Sequence, residues 1–214
     1  MTLPERPADL VDEPEFDLVE PEVKRLDLNA LRSAIDDLTG GRYKVEILGG
    51  EIIVSPLAST LHEEIVRRLH HTFTQALDVD EYAISQRAEF LVDEANSPQP
   101  DLAIMSVTLR EGALNETAYP AKDALLVAEV TSPSSGNDDR KWGREYKAYA
   151  KGRVPIYLLV DPHAPSGPQI TVFTQPNGTR YVTEATLKFG ELFNLSGPFD
   201  TVAIDSSRFP VPKS

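Results

Sequence analysis

The sequence predicts an α/β (α+β) protein whose mixed central sheet is flanked by helices. An apolar run at residues 125–131 is followed by a helical segment, predicted from about residue 139 to residue 151, and by a second apolar run at residues 156–160. A strand, a helix and a strand within 36 residues form a crossover unit, in which the two strands pair in parallel through a right-handed connection. Two hairpin patterns, at residues 43–54 and 169–186, add antiparallel strands.

The chain before residue 78 is predicted to form two helices separated by the first hairpin. Apolar side chains at helical spacing precede Gly40-Gly41, a glycine pair typical of a helix terminus: Leu28, Leu31, Ile35 and Leu38. The second helix is predicted to begin at Thr60, where Glu63 completes a capping-box pattern. Its apolar side chains recur mainly every four residues: Leu61, Ile65, Val66, Leu69, Phe73 and Leu77. One side of this helix should therefore be buried.

Two further strands are predicted in the middle of the chain. Residues 82–92 have a strand-like composition, and a polar loop that ends in proline separates them from a strand beginning at Asp101. Residues 108–123 have no strand or helix periodicity and are predicted to be an excursion from the sheet. The second hairpin is expected to turn at Asn177-Gly178, a dipeptide typical of tight β-turns.

Charge limits the functions open to the chain. It carries 21 Lys and Arg residues against 34 Asp and Glu residues, and the net charge of −13 repels polyanions such as DNA. Residues 1–22 contribute −7 of this charge and include four prolines. We therefore predict an acidic, proline-rich arm at residues 1–25 and a single domain at residues 26–214, and any contact with DNA must be local.

Missing residue types and motifs exclude several kinds of chemistry. Without cysteine the chain has no disulfides, thiolate metal sites or cysteine nucleophile. The zinc-protease pattern that could begin at His62 fails at Val66, and the serines of residues 132–135 lack the G-x-S-x-G motif of serine hydrolases. No signal-peptide pattern begins the chain and no apolar run approaches the roughly 18 residues of a membrane span, so a cytoplasmic protein without a membrane partner is expected.

Glu129 is the most informative residue, because it is an acid within an otherwise apolar strand. A buried carboxylate must be compensated by a salt bridge, by a position at the open end of the strand, or by a divalent cation. Asp101 begins a separate strand, and side-chain alternation places Glu129 and Thr131 on one face. These three positions could line one cleft, where two carboxylates would suit a hard cation such as Mg²⁺. A structural ion pair or a cap explains the same two acids.

Several motifs in a fixed order resemble a known family. They are residues 99–104, residues 126–134, Asp139 with a helix that ends at Tyr149-Ala150, and residues 154–162. In this order they resemble the Uma-two family of restriction endonucleases, which belongs to the PD-(D/E)XK nuclease superfamily. The resemblance implies a restriction-endonuclease-like fold and a phosphodiesterase that acts on DNA with Mg²⁺ or Mn²⁺.

The resemblance also implies roles for particular residues. Asp101 and Glu129 would be the metal ligands, and the family carries a histidine at a place similar to His62. In the superfamily a lysine two residues after the second acid helps to orient or deprotonate the nucleophile, but here that position is Thr131. The family is expected to supply a lysine four residues before the Tyr-Ala pair instead, and this position is Glu145.

Two lysines of the predicted crossover helix are the candidate replacements. Lys141 and Lys147 lie on opposite sides of its inward stripe, and Lys141 is nearer to the helix start, which faces the carboxyl end of the Glu129 strand. Lys141 is therefore preferred, although a solvated surface lysine is the alternative for both. Glu64 or Glu63 of the second helix could add a carboxylate to the metal site, or could serve only as a solvated residue and a cap.

Three functions are compatible with these observations. The first is a metal-dependent endonuclease that hydrolyses phosphodiester bonds of DNA. The second is a nuclease-fold protein that has lost catalysis and serves as a binding or assembly module, which Thr131, Glu145 and the acidic balance favour. The third is a metal-dependent hydrolase of small phosphoesters, which suits the charge of −13 better than DNA does. The family also implies a homodimer, since cutting both strands requires two sites.

Overall fold

The computed structural model describes residues 27–56, 58–114, 116 and 118–212. The arm predicted at residues 1–25 lies outside these ranges. Within them the chain forms five α-helices: α1 Leu28–Thr39, α2 Thr60–Ala76, α3 Val107–Gly112, α4 Gly136–Asp139 and α5 Arg144–Lys151. It also forms thirteen β-strands: β1 Lys44–Leu48, β2 Glu51–Ser55, β3 Tyr82–Ser85, β4 Phe90–Leu91, β5 Asn96–Ser97, β6 Leu102–Ser106, β7 Tyr119–Pro120, β8 Leu126–Val130, β9 Ile156–Asp161, β10 Gln169–Pro176, β11 Tyr181–Lys188, β12 Leu192–Asn194 and β13 Ala203–Asp205. Not one of these helices combines the length and the hydropathy needed to cross a bilayer.

Six strands form the main sheet, in the order β11-β10-β9-β8-β6-β3. Strands β8 and β9 pair in parallel, with Leu126 opposite Ile156, and helices α4 and α5 lie in the connection between them. The other neighbours in this sheet pair antiparallel. The mixed sheet, the crossover unit and the second hairpin are therefore confirmed.

A smaller three-stranded sheet, in the order β2-β1-β5, contains the first hairpin. Strands β1 and β2 pair antiparallel, with Lys44 opposite Ser55. Gly49 and Gly50 connect them with φ angles of 65° and 80°, which glycine adopts readily because it has no Cβ. The turn is thus the one that the glycine pair predicts, and β1 also packs against α5.

The main sheet buries apolar side chains on both of its faces. Along β8, Leu126, Ala128 and Val130 belong to one core, whereas Val127 belongs to a second core. Helix α2 covers the first core with its apolar side, as predicted: Ile65, Val66, Leu69 and Phe73. The second core is aromatic and includes side chains of α5 and of the β9, β10 and β11 strands: Tyr146, Tyr149, Tyr157, Phe173 and Tyr181. Because side chains alternate along a strand, Glu129 shares the face of Val127 and lies beneath α5.

The helix predicted at residues 139–151 is wrong at its start, because α4 ends at Asp139 and α5 begins only at Arg144. Trp142 has a φ angle of 71°, which an α-helix cannot contain. A Cβ on Gly143 would lie 2.1 Å from the carbonyl oxygen of Asp138, so only glycine fits this close approach. The interruption lets α5 begin afresh at Arg144.

Two smaller details also differ from the prediction. Helix α2 begins at Thr60 as predicted, but its N-cap is Ser59, whose side chain accepts a hydrogen bond from the backbone N–H of His62 at 3.3 Å. Residues 82–92 form two strands, β3 and β4, instead of one. The non-glycine residue Arg87 lies between these strands with a φ angle of 59°, a left-handed conformation that ends β-pairing.

A buried ion pair at the end of β9 ties the crossover unit together. Asp161 is 2% exposed and accepts hydrogen bonds from Arg140 Nε at 2.6 Å and from Thr131 Oγ1 at 2.6 Å. Burial alone would raise the pKa of Asp161, but the bonds from Arg140 and Thr131 hold it below its ordinary value. The side chain at position 131 is therefore used for structure.

We expect Asp161→Asn to lower the free energy of unfolding by about 2–3 kcal/mol, because Arg140 loses its charged partner. The cost is not larger because part of the Arg140 side chain is exposed to solvent. Urea unfolding at pH 7 measures this change. The matched control is Glu184→Gln, which breaks the exposed pair between Lys141 and Glu184 and should cost less than about 1 kcal/mol. Equal costs for the two variants would contradict a stabilising role for the buried pair.

Candidate active site

Carboxylates from both sheets and from the crossover helices meet in a cleft of about 970 Å³. We call them the acidic cluster: Glu46, Asp101, Glu129, Asp139 and Glu145. Four of them are almost completely buried, and Asp101 is partly accessible. The cleft also contains the ammonium group of Lys44. Such a concentration of buried acids is costly for the fold unless cations or protons compensate it, which makes it a candidate active site.

Asp101 and Glu129 are brought together by the pairing of β6 with β8, in which Leu102 lies opposite Ala128. Asp101 Oδ2 accepts a hydrogen bond from the backbone N–H of Val130 at 2.8 Å. The backbone N–H of Asp101 donates to Glu129 Oε2 at 3.3 Å. Each of the two acids predicted to line one cleft therefore accepts a hydrogen bond from a backbone N–H at, or next to, the other acid. Their role as metal ligands stays a prediction.

Glu129 has an environment that disfavours its charge. It is 2% exposed, and Tyr149 Oη donates a hydrogen bond of 2.5 Å to its Oε1 atom. Burial raises the pKa of Glu129 well above its ordinary value, and the nearby charge of Glu145 adds to the shift. A cation placed close to Glu129 would restore its charged form.

Lys44 is the cation that the fold places in this cluster. Its Nζ atom lies 3.1 Å from Glu46 Oε2, 3.3 Å from Glu145 Oε1 and 3.7 Å from Glu129 Oε2. Burial disfavours the ammonium, but the surrounding carboxylates, Glu129 first among them, raise the pKa of Lys44 well above its ordinary value. Lys44 is therefore a charged hydrogen-bond donor in the folded protein.

One lysine does not balance five carboxylates. Burial raises the pKa of Glu46 to about 8, although the backbone N–H of Gln99 donates a hydrogen bond of 2.7 Å to its Oε1 atom. Burial, with the charge of Glu145, also raises the pKa of Asp139 well above its ordinary value. Within the described residues, Glu145 Oε2 is buried without a hydrogen-bond partner. The cluster thus contains several carboxyl groups that are compensated by protons instead of by cations, and an unpaired oxygen.

His62 contacts the cluster from the first turn of α2. Its Nε2 atom lies 2.8 Å from Asp101 Oδ2. Burial alone would raise the pKa of Asp101, but the hydrogen bond with His62 and the charge of Lys44 hold it below its ordinary value. Asp101 is therefore kept ionised, in contrast to Glu46, Glu129 and Asp139, whose pKa values are raised.

The structure does not bring the predicted lysines into the cluster. Lys141 Nζ lies 2.7 Å from Glu184 Oε2, an exposed partner on β11. Lys147 has an exposed side chain on α5. Their ranking assumed one continuous helix, whereas the interruption at Trp142 and Gly143 leaves Lys141 outside α5.

Glu64 is also held away from the acidic cluster. It accepts hydrogen bonds from Arg67 Nε at 2.7 Å and from Arg68 Nε at 2.6 Å on the surface of α2. The hydrogen bond from Arg67 is the main reason that the pKa of Glu64 is lowered to about 2. Glu63, by contrast, lines the cleft, so it is the better placed of the two acids that the sequence suggests for this helix.

Sequence reasoning missed Lys44 and Glu46. Both lie on β1, where they alternate with the buried side chains of Val45 and Ile47. A polar-apolar alternation normally marks a strand with one solvated face, so these charges look like surface residues in the sequence. The glycine pair predicts the hairpin, but nothing in the sequence indicates that the charged face of β1 approaches α5 and Glu129.

The sheet order, the crossover and the paired acids at the edge of a cleft define a nuclease-fold protein. The structure resembles the crystal structure of a "putative nuclease belonging to DUF820" from Anabaena variabilis, with a TM-score of 0.53 and 14% identity over 71% of this chain and 81% of that chain. The model of the Uma2 (Uma-two) family, described as "Putative restriction endonuclease", matches residues 32–205. The chain belongs to the Uma2 family. No curated protein matches it.

Proposed function

We propose that this protein is a metal-dependent endonuclease that hydrolyses phosphodiester bonds of DNA. Membership of the Uma2 family supports the nuclease class. The observation that carries the proposal is the excess of buried carboxylates beside Asp101 and Glu129, with a single ammonium to oppose them. A divalent cation relieves such an excess, and Mg²⁺ or Mn²⁺ accepts carboxylate oxygens as ligands.

The residues of the cluster fit such an ion in chemistry, although no three acidic or histidine side chains of the described residues are already arranged as a metal site. Asp101 and Glu129 would hold the metal, and the unpaired Oε2 atom of Glu145 supports a further ligand or a bound water in the same cleft. The metal would supply Lewis acidity and lower the pKa of a bound water. These three candidate ligands line the same cleft.

The chemistry requires a proton acceptor near the attacking water. In hydrolysis the water oxygen forms a bond to phosphorus while a bond from phosphorus to the sugar oxygen breaks. The water loses a proton, and the leaving oxygen gains one from solvent. Glu145 Oε2 has no hydrogen-bond partner in the described structure, which supports it as the acceptor of this proton.

Local positive charge at the cleft supports DNA as the substrate. Three arginines line it: Arg67, Arg87 and Arg144. Arg67 and Arg144 also form ion pairs with Glu64 and Asp138. Because the chain as a whole is acidic, contacts with phosphates have to come from a few such residues. We also expect a cytoplasmic homodimer, since cutting both strands of a duplex requires two sites; sedimentation equilibrium measures this assembly.

We expect the purified protein to nick or linearise supercoiled plasmid DNA in Mg²⁺ or Mn²⁺ and to be inactive in EDTA. Asp101→Asn should lower the cleavage rate by about 10²–10³-fold, because the amide is a poor ligand and carries no charge. Asp36→Asn, on the exposed face of α1, is the matched control and should cut as the unchanged protein does. Cleavage that persists in Asp101→Asn would rule out this active site.

A hydrolase of small phosphodiesters is the second candidate. The acids that line the cleft outnumber the bases, which suits a small ester better than a long polyanion. Hydrolysis of bis(p-nitrophenyl) phosphate without any plasmid cleavage would favour this candidate, whereas metal binding without either reaction would favour a binding or assembly module.

A further inference from the structure

Two positions where the nuclease pattern places a lysine are occupied by other residues in this chain. Thr131 is completely buried, and its hydroxyl donates a hydrogen bond of 2.6 Å to Asp161 Oδ1. Glu145 is 3% exposed and faces the cleft. Neither residue can supply a positive charge, yet a nuclease site needs one to stabilise the charge that develops on the phosphate.

The structure places a lysine in this space from a different part of the chain. Lys44 Nζ lies 3.3 Å from Glu145 Oε1, although the two residues are 101 positions apart in sequence. The same atom lies 3.7 Å from Glu129 Oε2. Within the described residues, Lys44 is the cation that forms an ion pair with Glu129.

We propose that Lys44 is the catalytic lysine of this site, supplied from β1 in place of helix position 145, where Glu145 is its ion-pair partner. The inference rests on the proposed nuclease function and deepens it. The ammonium enters the cleft from β1 of the small sheet, whereas the superfamily pattern supplies its lysine from the strand of the second acid and the family from the helix that follows.

Lys44 has the geometry for this role because it has donors to spare. An ammonium carries three N–H donors, and Glu46 and Glu145 each lie within hydrogen-bonding or ion-pair distance of it. The third donor is available for a phosphate oxygen or for the attacking water at Glu129. The alternative cations are committed elsewhere: Lys141 pairs with Glu184, and Arg144 pairs with Asp138.

A charge-exchange experiment tests the inference. The variants are Lys44→Gln, Lys44→Glu, Glu145→Lys and the double variant Lys44→Glu/Glu145→Lys, with Lys188→Gln on exposed β11 as the control. For each we would measure the melting temperature, the affinity for Mn²⁺ by calorimetry, and the single-turnover rate of plasmid cleavage. If Lys44→Gln does not fold, Lys44→Arg is measured in its place, because arginine keeps the positive charge.

The expected pattern separates a catalytic lysine from a structural counterion. Lys44→Gln should cut about 10²-fold more slowly and bind Mn²⁺ about tenfold more tightly, because a competing cation near Glu129 is removed. The double variant should recover cleavage to within about tenfold of the unchanged protein, whereas each single exchange should not.

Three results would overturn the inference. They are undiminished cleavage in Lys44→Gln, an Mn²⁺ affinity that Lys44→Gln does not change, and a double variant that regains the melting temperature but no cleavage. If the unchanged protein binds Mn²⁺ but cuts no DNA, the proposed function fails. The catalytic role of Lys44 then fails with it, and an Mn²⁺ affinity that tightens in Lys44→Gln and returns in the double variant would show only that Lys44 competes with the metal.

Discussion

Replacing Glu129 by glutamine is expected to abolish DNA cleavage and to stabilise the folded protein. Cleavage should fall by about 10³-fold, because a metal ligand and its charge are lost together. The melting temperature should rise, since burial raises the pKa of Glu129 and the ionised form therefore opposes folding at neutral pH. A gain of about 1 kcal/mol would raise it by about 2–4 °C. Sites that are strained for function commonly behave in this way.

The experiment compares thermal unfolding and plasmid cleavage at pH 7.5 with those of Glu111→Gln. This control makes the same substitution at an exposed position of α3, where neither property should change. The glutamine oxygen can still accept the hydrogen bond from Tyr149, while its NH₂ group takes the place of the oxygen that accepts from the backbone N–H of Asp101. A Glu129→Gln protein that melts at a lower temperature would show that the ionised carboxylate contributes to stability through Lys44, contrary to this expectation.

The free energy of unfolding is expected to fall as the pH rises from about 5 to 9. The pKa of Glu46 is raised from 4.5 to about 8, so its contribution to stability is complete below pH 4.5 and is lost as the pH rises through 8. The raised pKa values of Glu129 and Asp139 act in the same direction. The lowered pKa values of Asp101 and Asp161 cause a separate loss of stability in strong acid. Stability should therefore be greatest in mildly acidic solution.

Thermal unfolding in EDTA between pH 5 and 9 measures this profile. We expect a decrease of at least about 5 °C across the range, which corresponds to about 2 kcal/mol. Glu46→Gln should flatten it, because the group with the pKa near 8 is removed. Saturating Mg²⁺ at pH 8.5 should reverse much of the decrease, since a ligand at 100 times its Kd adds about 2.7 kcal/mol. A melting temperature that rises steadily with pH would contradict the assignment of an uncompensated acidic cluster.

The main sheet could be predicted from sequence because its signals are local. Apolar runs identify β8 and β9, and a helical segment between them requires the parallel crossover. The contact of Asp101 with Glu129 follows from the same reasoning, since both acids stand beside strands of one sheet. These predictions needed only the period of the apolar residues and the rules of strand connection.

The rest of the site could not be predicted because it depends on packing between distant segments. No local pattern indicates that β1 lies against α5 and that Lys44 reaches Glu129, so Lys44 and Glu46 look like residues of a solvated strand. The ranking of Lys141 above Lys147 was limited for a related reason. The close approach of Gly143 to Asp138 interrupts the helix, and a helical projection of the sequence does not contain that interruption.

The position of Lys44 affects the stage of folding at which the active site becomes complete. Its partners Glu129 and Glu145 belong to the crossover unit, whereas Lys44 belongs to the first hairpin, which lies far from that unit in the sequence. Hairpins and helices assemble early from local contacts, and pairings of high sequence separation come later. Whatever reaction this cleft performs is therefore withheld from the nascent or partly folded polypeptide and becomes available only when the hairpin has docked.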